Sequence, residues 1–416
     1  MELLSLAALF VVIALSCFTK VNPGLLSMGL AWLLGYYGAH MAIDQIAAGF
    51  PVYMFIVLVG VTYLFGIAKH NGTLEKLAKA ALRLVKNNPR GSPLLFFIIA
   101  AALSTVGSGN IGAVALLAPV AMAVAWETGI GAFFMTIILI CGANAGTFSP
   151  FSLTGIIANG LISKLGMKMD PWTQIYLPNF LTQALLATLC CIFFYWRLKD
   201  HKRPSHIPAP ETIPTSPQWT AHQKFTLGAI VILITSAIFL KADIGFLSIA
   251  LASVLALLHG SEGKDALKHI PWDVILIVCG INTLIVVLEN MGGLSLLTDV
   301  LAKVSTPQNV TAVTAFTTGV MSAFSSSSGV VLPTFIPLVP DLITKIGGGN
   351  AIAIISSINV GAHLVDISPL SSLGAICIAS AIHENKEELF RRLLGFGLSM
   401  AVVGASICYI LFGWMK

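Results

Sequence analysis

One stretch of fourteen residues occurs twice in this chain, about 219 positions apart. The run Gly142 to Gly155 reads GANAGTFSPFSLTG, and the run Gly361 to Gly374 reads GAHLVDISPLSSLG. Gly142, Ala143, Ser149, Pro150, Ser152 and Gly155 recur as Gly361, Ala362, Ser368, Pro369, Ser371 and Gly374. Both copies set Gly, Ser and Pro inside apolar segments that are otherwise suited to be membrane helices. Few folds accommodate such a chain. Hydrophobic segments interrupted at corresponding places in two halves point to the binding site of a secondary transporter.

The apolar segments need a membrane. Hydrophobic residues make up 56% of the 416 and charged residues 10%, far from the balance of a soluble domain. The runs are long and continuous rather than alternating, so the spanning elements are helices and not barrel strands. Residues 3–18 read as a first membrane helix, because Met1-Glu2 lacks the basic start of a signal peptide. The net charge of +5 is not gathered into a basic, aromatic-rich tract, so nucleic acid is no expected partner. The seven cysteines form no CxxC or Cys/His cluster, so no metal or redox cofactor is expected. An intramembrane enzyme has no support either: there is no HExxH, no Ser/His dyad at helical spacing and no paired intramembrane Asp.

The doubling extends beyond the opening pair. Gly60, Leu64, Gly72, Leu74 and Leu77 match Gly280, Leu284, Gly292, Leu294 and Leu297, and Ser104, Ser108 and Pro119 match Ser322, Ser326 and Pro337. The expected fold is therefore an all-α polytopic membrane protein of two inverted repeats, 1–198 and 223–416. Each repeat has five spanning helices, a re-entrant hairpin (92–126 and 308–344) and an unwound helix (130–163 and 350–382). A Pro-rich linker, 199–222, joins them in the cytoplasm.

Inversion follows from Lys and Arg. The stretch 69–90 carries six basic residues and reads as a cytoplasmic amphipathic helix, whereas its partner, Glu289 to Pro307, carries only Lys303. With hairpins entering and leaving on one side, each half crosses five times, and an odd number inverts the second half. Seventeen basic residues then fall inside and six outside.

The hairpin tips are Gly107-Ser108-Gly109-Asn110 and Ser325-Ser326-Ser327-Ser328-Gly329, each between apolar arms of about half a bilayer. Irregular backbone at membrane depth must face protein or a water-filled cavity. Substrate is expected at Ser108, Gly109, Asn110, Ser326, Ser327 and Ser328, with Ser149 and Ser368 of the unwound helices. Their hydroxyls and amides both donate and accept, and half-helix N-termini favour an anion. Cation sites are expected to pair each tip with its own unwound helix: Asn110 with Asn144 and Thr147, and Ser328 with His363 and Asp366. An ionisable residue at membrane depth is a functional candidate by default. No Lys or Arg lies in the four breaks, so an anionic substrate calls for a co-bound sodium ion or proton.

Taken together, these residues resemble the ion-transporter superfamily that includes the divalent anion–sodium symporters. Within it the chain is most similar to the MatC-like malonate and C4-dicarboxylate carriers. Symporters of this superfamily carry a Ser-Asn-Thr triplet at each tip, followed by small residues and a Pro. Counting back from Pro119 and Pro337 sets those triplets on Gly109-Asn110-Ile111 and Ser327-Ser328-Gly329, where Asn110 and Ser327 match. The resemblance implies a transporter of small dicarboxylates in the bacterial inner membrane. It further implies a homodimer whose transport domain moves as an elevator, driven by a sodium or proton gradient. A sodium/proton antiporter on the same scaffold, with Asp366 as carrier, is the alternative.

Overall fold

The computed structural model describes residues 1–18, 21–74, 76, 91–198, 219–240, 242–259, 261–381 and 384–414. These residues form helices and connecting turns, with no strand among them. Seven helical stretches among the described residues are long and apolar enough to cross a bilayer: Ile43–His70, Ser92–Trp126, Pro171–Phe193, Trp272–Asn290, Ser327–Ile346, Ala351–Ser380 and Lys386–Phe412. Most of the amphipathic helix expected at 69–90 and of the linker expected at 199–222 falls outside the described residues.

The first half runs α1 (Glu2–Phe18), α2 (Pro23–Trp32), α3 (Ile43–Ala47), α4 (Val52–His70), α5 (Ser92–Leu103), α6 (Gly109–Thr128), α7 (Ala132–Gly146), α8 (Leu153–Lys164) and α9 (Leu177–Leu198). The second runs α10 (Ala221–Phe239), α11 (Ile244–His259), α12 (Ser261–Leu267), α13 (Trp272–Asn290), α14 (Gly293–Val304), α15 (Val310–Ser322), α16 (Leu332–Phe335), α17 (Val339–Ile346), α18 (Ala351–Leu364), α19 (Ser372–Ser380) and α20 (Lys386–Phe412). The order recurs. α10–α13 repeat α1–α4, α15–α17 repeat the hairpin α5–α6, and α18–α19 repeat the broken helix α7–α8.

Local chemistry sets the starts and stops. Asn22, Asn350 and Asn385 accept backbone N–H bonds at the N-termini of α2, α18 and α20, and Thr220 with Gln223 forms a capping box on α10. Pro150 and Pro369 cannot continue a helix and push the preceding residue out of helical geometry. α7 therefore ends at Gly146 and α18 at Leu364, and helix resumes at Leu153 and Ser372. Within each break the chain folds back on itself. A Cβ on Gly155 would run into the Ser149 carbonyl, and one on Gly374 into the Ser368 carbonyl. That explains why both copies hold glycine there.

The first tip turns on Gly107, at φ +122°, and Gly109, at φ +70°, a backbone that side-chain-bearing residues rarely adopt. The arms on either side are unequal. α5 has 12 residues, about 18 Å of helix, whereas α6 has 20, about 30 Å. The second arm of the first hairpin is thus longer than the expected half-bilayer, because nothing terminates it before the left-handed Gly129.

Close helix contacts repeat in register. Gly142 of α7 presses on the Phe97 backbone of α5, and Gly361 of α18 presses on the equivalent Ala315 backbone of α15. Others are exchanged between halves. Gly60 of α4 lies against the Gly245 backbone of α11, while Gly280 of α13 lies against the Gly24 backbone of α2. In the register of the repeat these are one pair with its members swapped. Large apolar side chains such as Phe193, Phe239 and Leu257 stay exposed on outer helices, as a lipid-facing surface requires.

Candidate functional site

The four interruptions converge. Asn144, in the last turn of α7, donates through Nδ2 to the His363 carbonyl of α18 at 2.8 Å. That carbonyl belongs to the last turn of its helix, where carbonyls lack an intrahelical partner. Asn144 and His363 are equivalent residues of the two repeats, so the halves meet at matching points. Asn144 Nδ2 also lies 3.4 Å from Asp366 Oδ2, and its Oδ1 accepts from Asn110 Nδ2 of the first tip at 2.8 Å. From the second tip, Ser327 donates to Asp366 Oδ1 at 2.9 Å. Ser327 Oγ also lies 2.7 Å from Ser322 Oγ, and Ser322 donates to the Ala362 carbonyl. Asn110, Asn144, Asp366 and Ser327 therefore form one continuous network across both tips and both broken helices.

Burial sharpens its character. Asn144 is 1% exposed, His363 0% and Asp366 5%. His363 Nδ1 lies 2.9 Å from the Asn359 carbonyl, and its ring meets Phe148 edge-on at 4.9 Å. A cavity of about 840 Å³ opens onto Asn110, Ser322, Ser326, Ser327, Ser328 and Asp366. Its far end reaches Asn22 and Asp273, where the Asn22 amide donates to the Asp273 carbonyl at 3.1 Å. Among its described lining residues none is Lys or Arg. Asp366 thus presents a carboxylate to a space with no basic side chain among its described lining residues. A second cavity, of about 1030 Å³, lies between the start of α4, α8 and the start of α11, and touches the break at Pro150.

The expected site residues separate into groups. Asn110, Ser326, Ser327, Ser328 and Asp366 share the cavity. Ser108 instead donates to the Leu103 carbonyl of its own turn at 2.8 Å. Ser149 and Ser368 are fully buried. Ser149 donates to the Thr105 carbonyl at 2.6 Å, and Ser368 accepts from the Leu370 N–H at 3.3 Å, so both brace the breaks. Asn110 reaches Asn144 as expected, but Thr147 pairs with Thr154 at 3.2 Å. The pairing expected for Ser328 falls to its neighbour. Ser327 contacts Asp366, while Ser328 crosses to Thr154 of the first half at 2.8 Å. Ser326 caps the turn by accepting from the Gly329 N–H at 3.0 Å, which turns Ser327 inward.

Several contributors escaped the repeat-based reading. Thr154 ties the first broken helix to the second tip, and Asn179 of α9 donates to the Asn144 carbonyl at 2.8 Å. Neither has a matched polar partner, since the position equivalent to Thr154 is Leu373. The usable signal was a polar residue inside an apolar helix.

Residues 1–147 match the family described as dicarboxylate carrier protein MatC N-terminus. Across nearly its whole length the chain also resembles two solved transporters. The Alcanivorax borkumensis YdaH transporter, described as having an unusual topology, is 16% identical with a TM-score of 0.60, over 94% of this chain and 97% of that one. Neisseria gonorrhoeae MtrF, described as illuminating a class of antimetabolite efflux pumps, is 14% identical with a TM-score of 0.57, over 100% and 95%. The chain has the helical fold of these two solved structures, and its N-terminal third matches the MatC dicarboxylate carrier N-terminus.

Proposed function

We propose that the protein is a secondary active transporter of small dicarboxylates, driven by a sodium or proton gradient, in a bacterial inner membrane. The observation that carries this reading is the Asn110–Asn144–Asp366–Ser327 network, which spans four backbone interruptions at one end of an 840 Å³ cavity. The space suits a small polar solute, and tip hydroxyls and amides can meet its carboxylates. A dianion beside Asp366 is repelled unless that carboxylate holds a proton or a cation, which is the physical reason for coupling. In this reading Asn110, Ser326, Ser327 and Ser328 contact substrate, while Asn144, His363 and Asp366 serve the cation.

The exchanged contacts Gly60–Gly245 and Gly280–Gly24 support a two-fold relation between repeats 1–198 and 223–416, and the Lys and Arg bias favours a cytoplasmic linker, 199–222. On that orientation the 840 Å³ cavity opens inward and the 1030 Å³ cavity outward. Alternating access then proceeds by elevator movement of the tips and broken helices within a homodimer. The test is counterflow of labelled dicarboxylates in proteoliposomes, screened over malonate, malate, succinate, fumarate and tartrate. Exchange of at least one acid is expected. None with any of the five refutes the reading, and sodium/proton exchange in its place would favour an antiporter that uses Asp366 as carrier.

A further inference from the structure

A second polar cluster lies beside the central network. On α18, Ser356, Asn359 and His363 are spaced three and four residues apart, so they share one helical face. On α9, Asn179 and Gln183 are four apart, and α9 packs against α18. All five are nearly inaccessible, none above 2% exposed. Asn359 Nδ2 and Oδ1, His363 Nε2, Ser356 Oγ, Asn179 Oδ1 and Gln183 Nε2 have no hydrogen-bond partner among the described residues.

Buried polar atoms are rarely left unsatisfied, and where protein does not serve them ordered water does. The set mixes free donors, Asn359 Nδ2 and Gln183 Nε2, with free acceptors, Asn359 Oδ1 and Asn179 Oδ1. Water uses both kinds, whereas a bare metal cation is repelled by amide N–H groups. The histidine gives the set a direction. The Asn359 carbonyl can only accept, so the proton of neutral His363 sits on Nδ1 and the lone pair on Nε2. Nε2 is thus an unpartnered proton acceptor among groups that hold water. The backbone of the same residue joins the transport network through Asn144.

We propose that the seam between α9 and α18 is a proton path that ends on Nε2 of His363, and that the proton is the coupling ion. This rests on the transport reading above. Water on one side of the membrane delivers a proton to Nε2, giving an imidazolium. The same proton leaves to water on the other side, and no other bond changes. Titratable groups on elements packed against α18 are Tyr176, Cys190, Cys191, Asp341, Lys345, Cys408, Tyr409 and the charged start of α20, with Asp366 in the turn that follows α18. Asp366 is the one tied to His363, through Asn144.

The test uses full-length protein in proteoliposomes with two readouts, labelled-dicarboxylate counterflow and uphill uptake driven by an imposed pH gradient without sodium. Wild type is expected to show both. Gln183→Leu and Asn359→Leu remove unpartnered polar atoms from an apolar setting. Each should keep counterflow and lose pH-driven accumulation, and His363→Gln should lose accumulation as well. Adding dicarboxylate to purified wild type in weakly buffered detergent, with a pH dye, should show proton uptake that His363→Gln abolishes. Accumulation driven by sodium alone, or unchanged pH-driven accumulation in both leucine variants, would overturn the proposal. Absence of counterflow in wild type would instead bring down the transport reading, and this inference with it.

Discussion

Asn144→Ala isolates the point where the two halves meet. The amide holds Asn110 on one tip, the His363 carbonyl on the opposite broken helix, and Asp366 beyond it. Side-chain hydrogen bonds between membrane helices average about 0.6 kcal/mol, so losing the Asn110 and Asp366 contacts removes roughly 1 kcal/mol. The buried His363 carbonyl loses the Asn144 amide and keeps the Val365 N–H, at about 1 kcal/mol for the lost bond. Alanine favours the helix at position 144 by up to about 0.7 kcal/mol, which offsets part of the loss. The net expectation is a destabilisation of about 1–2 kcal/mol. Asn110→Ala removes only the bond to Asn144 and the contact with the Ile111 N–H, at a part-exposed tip, and should cost about 1 kcal/mol or less. Unfolding of purified protein in detergent, followed by tryptophan fluorescence, separates the two variants. Labelled-dicarboxylate counterflow should fall in both. If Asn144→Ala proves no less stable than Asn110→Ala, Asn144 does not join the halves and the network has been misread.

Other outcomes follow from the same geometry. Asn110→Ala should abolish uptake while folded protein is recovered at wild-type yield, and normal uptake would remove the first tip from the site. Ser327→Ala should weaken the dependence of uptake on the driving cation more than Ser328→Ala, because Ser327 alone of the two bonds Asp366; uptake titrated against each cation in both variants decides this. Gly60→Ala and Gly280→Ala each push a methyl group into the backbone of an exchanged partner helix, and overpacking of this kind costs about 1–3 kcal/mol. Both should lower the unfolding temperature by similar amounts. A large loss in one and none in the other would argue against equivalent packing in the two halves.

Much of this protein can be read from local chemistry. Pro150 and Pro369 lie in the breaks that follow α7 and α18, and glycines at 107 and 109 permit a backbone that other residues resist. The places where the apolar helices break, and the recurrence of those breaks, therefore follow from residue order. Asn110 and Asn144, expected together with Thr147 at a cation site, are hydrogen-bonded to each other, since the tip and the break are polar points in otherwise apolar surroundings.

Which side chain answers which partner was decided elsewhere. Four adjacent serines, Ser325 to Ser328, look alike in sequence. The turn at Ser326 sends Ser327 to Asp366 and leaves Ser328 to a threonine 174 positions away. Ser149 and Ser368 looked like ligands, yet Ser149 ties its break to the Thr105 carbonyl of the first hairpin and Ser368 accepts the Leu370 N–H of its own break. The α9–α18 seam had no counterpart in the other repeat, so internal comparison could not reveal it. Residue order sets where a helix ends, because backbone geometry is local. Only packing brings ends 219 residues apart within hydrogen-bonding distance, and that meeting of Asn144 with His363 is a property of the folded chain alone.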